Sequence, residues 1–336
     1  MSVRTRTIAI ALSLLVAAVV TGLLVGPARI GPGNVLRWIL AFGHPPDGMS
    51  DQEASILANL RLPRVIVGGL VGASLAASGA AYQAVFRNPL ADPYLLGAAA
   101  GAGLGATIAV AYGPSGVVEV TVPIAAFVGA IVGVGLAYAL GRSSLGGHAA
   151  TSLVLAGVAV ASFLTAVQTF LQQQRSETLR QVYTWILGRL GTTGWDDVRL
   201  ALPSVVLAVT TLWVLRRLLD VIEVGDVEAE SLGLHVGRLR LAVVVAASLA
   251  TAAAVAVAGL IGFVGIIVPH TVRLLVGGSY RSVLPLSVLF GASFLILVDV
   301  LARTVVAPAE IPIGVITAFV GAPFFVAVLR RSGRAA

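Results

Sequence analysis

Two residue types are missing from this 336-residue sequence. There is no cysteine, which excludes disulfides, thiolate metal sites and cysteine nucleophiles on either side of a membrane. There is no lysine either, since all 22 basic residues are arginine. A P-loop needs its lysine to reach nucleotide phosphates, and Schiff-base catalysis needs an amine side chain. The chain is therefore neither an ordinary NTPase nor an aldimine enzyme, and any ATP must be hydrolysed elsewhere. Charge of both signs is scarce at 11% of residues. Neither H-E-x-x-H nor G-x-S-x-G occurs, and His44, His148, His235 and His270 are too scattered to suggest a metal cluster.

What is present is apolar. Hydrophobic residues make up 58% of the chain and mean hydropathy is +0.98, more than a soluble globule can bury. A bilayer core of about 30 Å takes about 20 apolar residues per helix, and about ten such runs follow one another. They fall near 8–26, 62–82, 93–112, 118–140, 150–172, 198–217, 239–258, 260–276, 284–303 and 312–329. The expected fold is an all-α polytopic membrane protein, one transmembrane domain over residues 1–336. The first run follows Arg4 and Arg6 like a signal peptide but is longer than an h-region and lacks an A-x-A cleavage site, so it reads as a retained span. Residues 27–60, with Pro45, Pro46, Asp47, Asp51 and Glu53, form a polar extracytoplasmic segment holding a short surface helix around Val35–Ala41.

An even number of spans puts both termini on one side, and arginines place that side in the cytoplasm. Arg216, Arg217, Arg238, Arg240, Arg330, Arg331 and Arg334 cluster at span ends in this way, and so do not form the basic face of a nucleic-acid binder. The 38 glycines recur at small-xxx-small spacing, as in Gly68–Gly72, Gly97–Gly101 and Gly129–Gly133, which predicts close helix packing in lipid. The run Gly101, Gly103, Gly105 has no strand before it and is no dinucleotide loop.

Three segments are unlike ordinary spans. Residues 61–98 begin with Arg61-Leu-Pro-Arg64 and end in Arg87-Asn88-Pro89-Leu90-Ala91-Asp92-Pro93, whose two prolines prevent one helix running through; a simple interhelical turn is the plain alternative. Residues 262–277 carry Pro269 within a span and His270 and Arg273 at its polar end. In 299–325, Asp299 and Arg303 stand at the i,i+4 spacing of an ion pair, and an intramembrane charge is a functional candidate. Between them, residues 220–238 interleave Asp220, Glu223, Asp226, Glu228 and Glu230 with Val221, Val224, Val227, Leu232 and Leu234, a pattern of short amphipathic helices or of a solvated loop.

These segments, with W-I-L-G-R-L at 185–190 and E-S-L-G-L-H-V at 230–236, resemble the type II permease family of ATP-binding-cassette importers for iron-siderophores, haem and cobalamin, from about residue 60 to 331. The resemblance implies a homodimer or pseudo-dimer of ten-span subunits without a cofactor of its own. It also implies two cytoplasmic ATPase subunits and an extracytoplasmic solute-binding protein. It assigns docking of that protein's carboxylates to Arg61, Arg64 and Arg303, which the residues alone would also fit as snorkelling ends and an Asp299 pair. It assigns a cytoplasmic gate to Asn88 and Leu90, with Thr151 and Ser152 as further candidates. ATPase coupling falls to the loop at 218–238 through Asp226, Glu228, Glu230, Ser231, Leu232, Gly233 and Leu234. Iron-siderophore is the first expected cargo, then haem, then cobalamin. A secondary transporter, the rival reading, would show a relay of mid-span carboxylates, and only Asp299 comes near that.

Overall fold

A computed structural model of the chain describes residues 3–114, 118–142 and 149–332; His148 and Arg334 lie outside the described residues. The regular elements among them are all helical. They run α1 (Val3–Leu24), α2 (Pro32–Leu40), α3 (Asp51–Ser55), α4 (Leu62–Val85), α5 (Ala98–Tyr112), α6 (Val118–Arg142) and α7 (Ala149–Gln174). The second half continues with α8 (Leu179–Ile186), α9 (Trp195–Val224), α10 (Asp226–Ser231), α11 (Val236–Ala258), α12 (Val264–Val276), α13 (Tyr280–Ala302) and α14 (Ile313–Ser332). Seven stretches are long and apolar enough to cross a membrane, and α5, α12 and most of α14 are shorter apolar helices. Together they follow the expected runs in order.

Local chemistry explains the departures. The third run starts at Ala98 rather than 93, because Pro93 and a left-handed Gly97 (φ 80°) keep the preceding turn out of the helix. Helix α9 continues to Val224, because Leu219 and Ile222 extend its buried face by two more turns. The expected 218–238 loop thus shrinks to Gly225–His235 around α10. The surface helix in the 27–60 segment is α2, which packs Val35 and Trp38 onto the end of α1. Ser50 then opens α3 with a capping box, its hydroxyl accepting from Glu53 N while the Glu53 carboxylate accepts from Ser50 N. A π-helical turn, Ile56–Arg61, joins α3 to α4.

Helix α4 is the axis of the bundle: 83% of its most apolar stretch is buried, against 28% for α1, α7 and α9. It packs against α9, α11, α12 and α13. Lipid offers no hydrophobic drive for helix association, so closeness of backbones must supply it. The small residues do that. A Cβ on Gly72 would lie 2.1 Å from Gly291 O on α13, and Gly101 and Gly129 block each other across α5 and α6 at the same distance. The outward faces remain apolar, with Val120, Ile124 and Val128 of α6 and Leu155, Val158 and Phe163 of α7 exposed where acyl chains would cover them.

Candidate functional site

The 24 residues of α4 rise about 36 Å, and the residues singled out by the sequence gather at its two ends. At the Arg64 end, Arg61, Arg64 and Arg303 come together from positions far apart in the chain, but they do not all face outward as expected. Arg61 is 4% exposed and Arg303 2%. The reason is that α1 ends there with orphaned carbonyls, which a cation can satisfy. Arg61 Nη1 donates to Leu23 O (2.6 Å) and Leu24 O (3.0 Å), and its Nη2 donates to Ala28 O. Arg303 Nη2 donates to Gly22 O at 2.7 Å.

Arg64 is the hinge of the charge cluster. Its Nε donates to both Asp299 oxygens at 3.0 Å and its Nη2 to Oδ1 at 2.8 Å, while Nη1 and Nη2 reach the two Glu310 oxygens at 2.8 and 3.0 Å. The expected Asp299–Arg303 pair exists at 3.5 Å, yet the fork of hydrogen bonds on Asp299 belongs to Arg64, 235 residues away. Glu310, 36% exposed, is the accessible edge of the cluster. Nothing in its spacing marked it, although an acid within the 299–325 segment was a usable signal.

The hydrogen bonds from Arg64 hold the Glu310 carboxyl below the ordinary carboxylate range, against burial, which acts the other way. A depressed folded-state value means the pair stabilises the protein above the unfolded value of about 4.3 and is lost as pH falls through the depressed one. In thermal unfolding in detergent, wild type should exceed Glu310→Gln at pH 7 and the two should converge on acidification. A gap independent of pH would remove the ion pair as its cause.

At the Arg87 end, the turn after α4 is fixed by its own side chains. Asn88 Oδ1 accepts from Leu90 N at 2.9 Å, and Asp92 Oδ1 from Tyr94 N at 2.8 Å. Burial pushes the Asp92 carboxyl up to about 6, with the Tyr94 N–H pulling the other way. Thr151 and Ser152 lie in the first turn of α7, one to two turns before Gly157, where an added Cβ would meet Leu95 O at 2.2 Å, just past the same turn. Helix α10 closes with a Schellman cap: Gly233, at φ 81°, donates to Glu230 O at 2.9 Å, and Leu234 N to Ala229 O at 3.1 Å. That geometry is the reason for glycine in E-S-L-G-L. Val224, Val227 and Leu232 stand 72, 78 and 71% exposed around it, an apolar patch beyond the bundle. Asp220 serves α13 from α9, its Oδ1 accepting from Tyr280 N (2.5 Å) and its Oδ2 from Ser279 Oγ (3.0 Å). Arg87 and Arg240, both near span ends in the sequence, meet at Asp226, a pairing that their spacing does not announce.

Between the two ends the backbone is broken. Residues 259–263, between α11 and α12, are non-helical, as are those following α8 and preceding α14. The three stretches stitch to one another: Arg189 N donates to Ala258 O (2.9 Å), Ile313 N to Gly188 O and Gly314 N to Leu187 O (both 3.1 Å). Irregular backbone inside a bilayer is tolerated where it is buried in protein or lines a cavity. Here it borders an apolar cavity of about 650 Å³ lined by Ile186, Leu187, Leu260, Phe263, Val315 and Phe319, among others. Phe263 holds a left-handed φ of 69°, unusual for an aromatic residue, and its ring rests on the backbone of Gly321. Helix α8 was invisible in the sequence because its polar approach, Gln172 to Thr178, reads as loop.

The bundle thus has a charged cluster at either end and a broken apolar wall between. The pattern of the FecCD transport family matches residues 14–331. The chain belongs to that family. This permease is similar to the cobalamin import system permease protein BtuC of Halobacterium salinarum, at 42% identity over 84% of this chain and 75% of that one. It is also similar to the Fe(3+) dicitrate transport system permease protein FecC of Escherichia coli, at 35% identity over 87% and 86%. Among solved structures it superposes on a metal-chelate type ABC transporter in an inward-facing conformation with a TM-score of 0.84, at 29% identity over 96% of this chain and 97% of that one. It is a multi-pass membrane permease subunit of an ABC importer.

Proposed function

We propose that this permease moves a metal chelate, iron-siderophore foremost with haem and cobalamin after it, across a cytoplasmic membrane. A solute-binding protein delivers the chelate at the Arg64 end, and two cytoplasmic ATPase subunits seated on α10 drive the cycle. The observation that carries this reading is that the Arg64 and Arg87 clusters sit at opposite ends of one buried helix with a non-helical apolar wall between them. The relatives' names, a cobalamin importer and an Fe(3+) dicitrate transporter, point to chelates. The reading places residues 27–60 outside and the 218–238 region and both termini in the cytoplasm, and it pairs the subunit with a second copy of itself. No resident cofactor is required, because ATP binds to the partners.

Within this scheme Arg64, with Glu310, is the docking group closest to the surface, while Arg61 and Arg303 hold the end of α1 beside it and act behind it. The gate is the Asn88–Leu90 turn with Thr151 and Ser152 beside it. The seat for the ATPase comprises Asp226, Glu228, Glu230, Ser231, Leu232, Gly233 and Leu234, and the exposed Leu232, with Val224 and Val227 beside the set, suits a protein cleft. Proteoliposomes holding the whole complex should accumulate one of ferric siderophore, haem or cobalamin only with ATP, and replacing Asn88 or Leu90 should alter the ATP consumed per chelate while leaving assembly intact. Uptake driven by a proton or sodium gradient without ATP would instead make it a secondary transporter. That rival finds little support at Asp299, which is held by Arg64 and Arg303 at one end of the bundle.

A further inference from the structure

Arg87 sits where a helix of this kind ordinarily ends in glycine. Its N–H donates to Ala84 O (3.2 Å) and that of Asn88 to Gln83 O (3.1 Å), the pair of bonds that closes a Schellman cap. The residue between them takes a left-handed φ of 48°. Glycine adopts that conformation freely and asparagine tolerates it, whereas an arginine does so at a cost. The side chain therefore has to contribute something that glycine could not.

It contributes a tie between four segments. Arg87 Nε donates to Ile222 O at 2.9 Å, capping a free carbonyl near the end of α9, and its Nη2 donates to the Asp226 carboxylate at the start of α10. The same carboxylate accepts from Arg240 Nη2 of α11 at 3.1 and 3.0 Å. Arg240 is anchored, with a side chain only 9% exposed, while the Arg87 side chain at 39% and that of Asp226 at 42% lie nearer the surface. Helix α10 has one buried residue, Ala229, so Asp226 between two guanidiniums is a principal hold on it. Next along the chain from Arg87 comes the Asn88–Leu90 turn.

We propose that Arg87 is a positioning residue, a guanidinium strut that carries displacement of α10, through Asp226, to the Asn88–Leu90 turn, with Arg240 as the fixed post. This rests on the reading of α10 as the ATPase seat. A planar fork bonded to a carboxylate and a carbonyl at once transmits direction as well as attraction, which a lone ammonium would do less well. The left-handed arginine is retained because a glycine there would relax the turn and cut the strut.

The test compares wild type, Arg87→Gly, Arg87→Lys and Asp226→Asn in the full complex reconstituted in proteoliposomes. Two quantities are read: chelate accumulated per ATP hydrolysed, for whichever of ferric siderophore, haem or cobalamin the wild type accumulates, and unfolding temperature. For Arg87→Gly the ratio should fall by at least about fivefold, the low end of measured couplings between sites, while the unfolding temperature holds or rises because the strained φ is relieved. Asp226→Asn should lose the ratio similarly, and Arg87→Lys should fall between. An unchanged ratio in Arg87→Gly or in Asp226→Asn overturns the strut. So does a ratio that falls only together with the unfolding temperature, which would mark Arg87 as structural alone. A wild-type complex without ATP-dependent uptake would instead sink the importer reading, so the two failures are told apart.

Discussion

Asp299→Ala should cost about 3–5 kcal/mol of stability, the usual penalty for breaking a buried ion pair from one side. The Asp299 side chain is 3% exposed and is the shared acceptor for Arg64 and Arg303. Without it, two guanidiniums are left facing each other in a poorly solvated site. Arg64 keeps Glu310, but among the described residues Arg303 keeps only the Gly22 carbonyl, and its Nε there already lacks a hydrogen-bond partner. Against a total native stability of about 5–15 kcal/mol, this removes a large share. The variant should be recovered in low yield and unfold many degrees below wild type in detergent. Removing the stranded cation as well, with Arg303→Met added, should restore part of the loss, because a missing pair is less costly than half of one. Equal unfolding temperatures for wild type and Asp299→Ala would show that the cluster is solvated and contributes little.

The second large effect is expected where α4 meets α12. A Cβ on Gly79 would stand 2.0 Å from Gly265 O and 2.6 Å from Gly265 Cα, backbone atoms that cannot swing aside. Alanine is the better helix former by about 1 kcal/mol, but overpacking of this kind costs about 1–3 kcal/mol or more. Moving α12 away also breaks the bond from Gln83 Nε2 to Gly265 O (3.0 Å), in a buried site where Gln83 Oε1 already lacks a partner. Gly79→Ala should therefore destabilise the permease and shift the wall at Phe263, which stands two residues before Gly265. Gly135→Ala is the control. A Cβ added there meets nothing within 4 Å among the described residues, so the change should be neutral or slightly stabilising. If the two variants behave alike, the close approach of α4 and α12 is not a stability determinant.

How far the sequence could be read depended on the range of the interaction. Spans were legible because each apolar run carries its own signal, and Pro89 and Pro93 announced the turn after α4 locally. The gathering of Arg61, Arg64 and Arg303 at one end followed from their places at span ends. Their burial did not, because Arg61 is spent on backbone carbonyls, and every residue has one of those, so no side-chain pattern reports which is left free. Arg64 and Glu310 as the real partners of the Asp299 neighbourhood were hidden for a related reason. A spacing rule finds i,i+4 pairs such as Asp299–Arg303 and is blind to a pair closed by packing α4 on α13. Helix α9 ran past its expected end because charged Asp220 and Glu223 masked the buried Leu219 and Ile222 next to them. Arg87 lay in plain view within the turn and was passed over, since its left-handed conformation is a property of the fold.

The caps on α1 bear on the order in which this protein can be built. Synthesis delivers α1 before the residues that cap it: its last turn is not complete until Arg61 arrives 38 residues after Leu23, and the Gly22 carbonyl waits for Arg303, 281 residues downstream. The chain as far as α13 must enter the bilayer before α1 is locked. A nascent chain halted before residue 303 would carry its leading helix unlatched, exposing to membrane quality control the same carbonyls that in the finished subunit are silent.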